Sequence, residues 1–174
     1  MSNRLAVTVS KTYGNVLPSE VHDAQLGELR LYLNISIAPE DILSSTSAGR
    51  VDGSCEWLTN KRSFKDWLDS RSPRYLWLEG PPGTGKTMLS THVIHQLRDN
   101  PVCYHFFGGG EHQGSSLGSF LSSIAYQMAK VNSDVRNALL ELVQQGSKLD
   151  IRNHRSVWHT VFIGCVFRKT FSTT

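Results

Sequence analysis

Gly80, Gly85, Lys86 and Thr87 fall at the spacing G-x-x-x-x-G-K-[ST] within the stretch GPPGTGKT, and Gly83 adds a further glycine between them. These residue types in this order suit the holding of phosphate. Backbone N–H groups can curl around phosphate oxygens only where no Cβ obstructs the approach, which is what glycine permits. The Lys86 ammonium would bridge the β- and γ-phosphates of a nucleotide, and the Thr87 hydroxyl would ligate Mg²⁺. The expected cofactor site is therefore the run Gly80, Pro81, Pro82, Gly83, Thr84, Gly85, Lys86 and Thr87, with Thr87 as its metal ligand. A loop of this kind touches phosphates and leaves the base unread, so the spacing does not choose between ATP and GTP.

Such a loop needs a strand before it and a helix after it. The apolar run YLWLE at 75–79 reads as a buried strand ending at Gly80, and STHVIHQLRD continues a helix over about 85–98 that Asn100-Pro101 stops. The helix would aim unpaired N–H groups and the positive end of its dipole at the same anion. VCYHFF at 102–107 is β-branched and aromatic and predicts a second strand, closed by GGGEHQG. Strand, crossover helix and parallel strand would make one βαβ unit.

The rest of the chain reads as helices. EVHDAQLGELRLYL predicts a short one near 19–33, followed by a mobile connector at SSTSAGR, 44–50. CEWLTNKRSFKDWLDS predicts two short amphipathic helices broken near Asn60. Leu117, Phe120, Leu121, Ile124 and Met128 recur at helical spacing, and SDVRNALLELVQQG predicts a helix capped by Ser133 and closed at Gly146. HRSVWHTVFIGCVFRK predicts a last helix burying Val157, Val161, Phe162, Cys165 and Val166, although its β-branched residues would also suit a strand.

Hydrolysis asks for more than a loop. A second strand should end in an acid that holds Mg²⁺, and a further group must orient the attacking water. After the loop the acids are Asp99, Glu111, Asp134, Glu141 and Asp150, and none closes a strand-like apolar run. No catalytic residue is therefore assigned.

Other residues offer less. His92 and His95 stand three apart on the helix after the loop, where solvated side chains are expected rather than metal ligands. His105 and His112 flank the glycine run and are expected as strand-end polar residues more than as phosphate neighbours. Trp57, Trp67, Trp77 and Trp158 are expected in the core. Cys55, Cys103 and Cys165 are three, far apart and in apolar surroundings, which fits buried thiols in a reducing compartment. The 18 basic residues against 15 acidic ones include no basic block, so no nucleic-acid partner is expected. The longest apolar run, VFIGCVF, is far short of a membrane span, and the N-terminal stretch MSNRLAVTVSKTYG is too polar for a secretory signal. A cytoplasmic protein without a membrane partner is the expectation.

The succession GSCEWLTNKRSFKDWL, RYLWLEGPPGTGKTML, VCYHFF and FLSSIAYQMA resembles the opening of the fungal NACHT-type nucleotide-binding domain, also described as the nephrocystin-3-like N-terminal domain, from about Val51 to Phe167. The resemblance implies a signal-transducing ATPase of the STAND class. It implies an α/β fold, a partial P-loop NTPase-like three-layer arrangement of parallel strands with flanking helices and an incomplete sheet. WHTVFIGCVFR resembles the helix before the family's acid-bearing Walker B strand, and this chain then reads KTFSTT, as a product truncated before that strand would. The expected organisation is an N-terminal helix and flexible connector over 1–50, a partial nucleotide-binding domain over 51–168 and a disordered tail over 169–174. The expected function is purine nucleotide binding, ATP before GTP, with little or no hydrolysis. The alternative is a non-catalytic interaction fragment that associates with further copies or with related NACHT proteins through a sheet edge left open at YLWL.

Overall fold

The computed structural model describes residues 7–9, 19–70, 72, 75–108 and 116–168. In chain order the elements are β1 (Val7–Val9), α1 (Ser19–Tyr32), α2 (Pro39–Ser47), α3 (Glu56–Thr59), α4 (Arg62–Leu68), α5 (Lys86–Gln96), β2 (Val102–Tyr104), α6 (Leu117–Val131), α7 (Ser133–Gln144) and α8 (His154–Val157). The last continues without interruption into a π-helix, Trp158–Val166.

This fold is mostly helical, and the expected α/β three-layer arrangement with parallel strands is not what the chain adopts. Among the described residues the one β pairing is β1 against β2, antiparallel, with Thr8 opposite Cys103. The run Tyr75–Glu79 lies in no strand, and Tyr75, Trp77 and Leu78 are exposed. A physical reason lies at the other edge of β2. The Gln127 side chain from α6 occupies it: Gln127 Oε1 accepts from Tyr104 N at 3.0 Å and Gln127 Nε2 donates to Tyr104 O at 2.8 Å. Both backbone groups of Tyr104, which point to the same side of the strand, are thereby satisfied by a carboxamide instead of a neighbouring strand.

Two apolar cores organise the helices. The larger joins Leu26, Leu29 and Leu33 of α1 and its end with Leu121, Ala125 and Ala129 of α6, Val135, Leu139 and Leu140 of α7, and Val157, Val161, Phe162, Cys165 and Val166 of α8 and the π-helix. This core crosses the boundary expected near Val51. The smaller gathers Cys55 and Leu58 at α3, Phe64 of α4, and Leu89, Val93 and Leu97 along and just beyond α5, with Trp67, Leu76, Met88 and Val102 packed against it.

Local signals explain most of the boundaries. α1 ends at a left-handed Asn34, where Arg30 donates from Nε to Ile35 O and from Nη2 to Ser36 O, both at 2.9 Å. The segment expected as a mobile connector from 44 is helical through Ser47, because Pro39 opens α2 at its first turn and Glu40 and Asp41 face the positive helix end there. The break near Asn60 separates α3 from α4 as expected. α7 is capped by Asn132, not Ser133: Asn132 Oδ1 accepts from Asp134 N at 2.8 Å and from Val135 N at 3.1 Å. Ser133 is already the first helical residue, and Gly146 follows the helix with φ of 67°.

Candidate functional site

The glycine-rich run follows the Tyr75–Glu79 segment, of which Leu76 packs against the smaller core, and ends in the first turn of α5. Gly83 and Gly85 both have φ of 78°, in the left-handed region that side chains with a Cβ resist. Gly85 is the residue before α5, and no side chain caps that end of the helix. The first-turn N–H groups therefore look outward from an exposed loop, since residues 81–85 and Thr87 are exposed.

Polar side chains fold the loop onto itself. Lys86 Nζ donates to Gly80 O at 2.7 Å and to Pro81 O at 2.6 Å, and Thr84 Oγ1 donates to Pro81 O at 2.8 Å. A Cβ on Gly80 would stand 2.9 Å from Thr84 Oγ1, so a larger residue there would have to displace the hydroxyl that bonds Pro81 O. The ammonium thus lies inside the loop and is held by carbonyls alone, a cation with no carboxylate among its hydrogen-bond partners. Below the loop, Ser90 Oγ donates to Lys86 O at 2.8 Å, and Leu89 and Val93 fix α5 in the smaller core.

The eight residues Gly80 to Thr87 are thus brought together in one exposed turn, with Thr87 on its rim. The helix behind them differs from expectation in one respect: His92 is buried, not solvated. Its Nδ1 lies 3.4 Å from Arg50 Nη1. A guanidinium only donates, so Nδ1 is the acceptor and the ring proton sits on Nε2, which has no partner in the structure. Burial, and next the Arg50 charge, push the His92 pKa below its ordinary value. His95 is exposed, and no cluster of three metal-ligating side chains occurs among the described residues.

His105 is buried, with its ring against Phe107 and Phe120. His112, Glu111 and most of the glycine run after β2 lie outside the described residues, as does the tail from 169. Of the tryptophans expected in the core, Trp57, Trp77 and Trp158 are exposed, and Trp67 packs against the smaller core beside Phe64. Cys55, Cys103 and Cys165 are buried and none is in a disulfide. Burial pushes the Cys103 thiol up to about 11.

The sequence profile of the family described as Nephrocystin 3, N-terminal, matches residues 53–174. The chain belongs to that family. The match begins just before α3 and takes in the whole glycine-rich loop and every later element. Vegetative incompatibility protein HET-E-1 of Podospora anserina is 34% identical to this nephrocystin 3 N-terminal family chain over 67 residues, covering 37% of the chain and 5% of the relative. The chain therefore spans a small fraction of the length of that relative. No solved structure matches it. Among the described residues no helix is long and apolar enough to cross a membrane.

Proposed function

We propose that residues Gly80–Thr87 bind the phosphates of a purine nucleotide, ATP before GTP, together with Mg²⁺. The observation that carries this reading is the loop itself. Two glycines at positive φ lead into an uncapped helix start, and the Lys86 ammonium lies within the turn, bonded only to loop carbonyls. Phosphate oxygens would take over those bonds to Lys86 and would also accept from the first-turn N–H groups. Thr87, exposed beside Lys86, would supply its hydroxyl to Mg²⁺, whose positive charge would offset that of the phosphates. These 174 residues place no carboxylate at the end of an apolar strand after the loop, so little or no hydrolysis is expected from them alone.

Titration of the purified chain with a fluorescent ATP analogue and Mg²⁺, beside Lys86→Ala and with a phosphate-release assay, tests the reading. Saturable binding that weakens at least about tenfold in Lys86→Ala, as loss of a charged hydrogen bond to phosphate should cause, is the expected result. Release no faster than in Lys86→Ala is expected alongside it. Absence of binding to a folded sample would remove the proposal.

A second reading is favoured by the exposure of the Tyr75–Glu79 run, where Tyr75 is 99% exposed. In it, this face associates with another copy or with a related NACHT protein, and nucleotide is incidental. Association that persists in Lys86→Ala and disappears in Tyr75→Asp with Trp77→Asp would favour it.

A further inference from the structure

A groove of about 400 Å³ opens between the start of α6 and the junction of α8 with the π-helix, on the larger core and built without the glycine-rich loop. Its lining is Leu117, Leu121, His154, Arg155, Trp158 and His159. The volume is within the range of small-molecule sites, and among the described residues the lining is an apolar wall with cationic or proton-bearing groups and no carboxylate.

The wall is held in place from behind. The Trp158 indole stacks on Phe162 at 5.1 Å between centroids and 18° between planes, and it makes a T-shaped contact with Phe167 at 5.6 Å and 71°. Those contacts fix the ring while 39% of the residue stays open to solvent. An aromatic surface already locked in orientation loses little further entropy when a second ring packs on it. Trp158 and His159 also begin the π-helix, a rare geometry that recurs at functional sites.

Charge completes the description. Arg155 brings a planar guanidinium that matches a carboxylate with two parallel N–H donors. The acid nearest to Arg155 in sequence, Asp150, is already engaged by Arg152 at 3.2 Å, and no carboxylate side chain follows it in the chain. We propose that this groove binds a small planar aromatic carboxylate, its ring packed between Trp158 and the leucines of α6 and its carboxylate on Arg155.

Isothermal titration of the full chain with 2-naphthoate, and in parallel with the uncharged 2-naphthylmethanol, tests the assignment. One-to-one saturable binding of the carboxylate is expected, with the alcohol at least about tenfold weaker because it forgoes a charged bidentate contact. Arg155→Glu should weaken naphthoate by a similar factor. Leu117→Glu, a substitution in the first turn of α6 where an acid favours the helix, should also weaken it by placing a negative charge at the groove. Lys86→Ala should leave it unchanged, which separates this groove from the loop. The assignment is overturned if a folded chain shows no saturable binding, if acid and alcohol bind alike, or if both groove variants fold by far-UV circular dichroism and bind naphthoate as the parent does.

Discussion

At the scale of single residues, spacing shows the loop and burial decides the histidine behind it. The spacing of Gly80, Gly83 and Gly85 predicts a turn before a helix, and the structure has that turn, with Gly83 and Gly85 at positive φ ahead of α5; its taking of phosphate stands as the proposal. The position of His92 could not be read from the sequence, since helical periodicity alone does not say that Arg50, 42 residues earlier, would cover it. Its buried neutral ring has a consequence for pH. The unfolded chain takes up a proton on this side chain near pH 6.5, whereas burial and Arg50 hold the folded ring's pKa lower, with Glu56 opposing and His95 adding to the shift. More protons are then bound by the unfolded state in that window, so stability rises with pH there. The contribution is present above about pH 6.5 and is lost as pH falls below it toward the lowered pKa. His92→Asn offers a neutral acceptor near the place of Nδ1 and should flatten this part of the acid slope. Thermal midpoints at steps between pH 5 and 7.5 would show it, and an unchanged slope in the variant would rule out the ring as its source.

Elements were legible wherever one helix face is apolar. The spacing of Leu121, Ile124 and Met128 predicts α6, and Val135, Leu139 and Val143 predict α7, because the 3.6-residue period is a property of the element alone. A strand is different, since an apolar run reports only that burial would be favourable, and pairing depends on a partner elsewhere in the chain. YLWL for that reason predicts a strand yet lies in none, and the edge of β2 where a parallel neighbour would pair is taken by Gln127. Nor did the sequence reveal how closely α6 meets the segment before α8. A Cβ on Gly118 would lie 1.7 Å from Ile151 O, a backbone atom that cannot swing aside. Gly118→Ala should therefore push the start of α6 away from residues 150–153 despite the better helix propensity of alanine. The net loss should be about 2 kcal/mol or more, in the range of overpacked interiors. Urea unfolding would measure it, and a variant as stable as the parent would show that the contact relaxes at little cost.

At the scale of the whole molecule, the loop sits on the smaller core while most of the buried apolar surface belongs to the larger. What joins them includes the Lys130–Glu40 ion pair from α6 to α2, which is partly exposed and contributes little. The stronger link is Gln127. Besides its two bonds to Tyr104, Nε2 donates to Ser123 O at 3.2 Å and Ser123 Oγ at 3.1 Å, all of them buried. From Tyr104 the connection runs along β2 to Val102, which packs against the cluster containing Leu97, Val93 and Leu89, and so into α5 and the loop. Gln127→Leu keeps approximate side-chain size but leaves a buried N–H and C=O of Tyr104 without this partner, which should cost about 2 kcal/mol. The loss should also be uneven in space. α7 and the π-helix keep their own contacts, whereas β2 loses its hold on α6 and the smaller core loses its attachment to the larger. Amide hydrogen exchange followed by mass spectrometry should show protection falling in β2 and α5 more than in α7. A uniform drop across all helices would mean instead that the two cores unfold as a single unit, and that Gln127 supports stability without specifically holding the loop-bearing part in place.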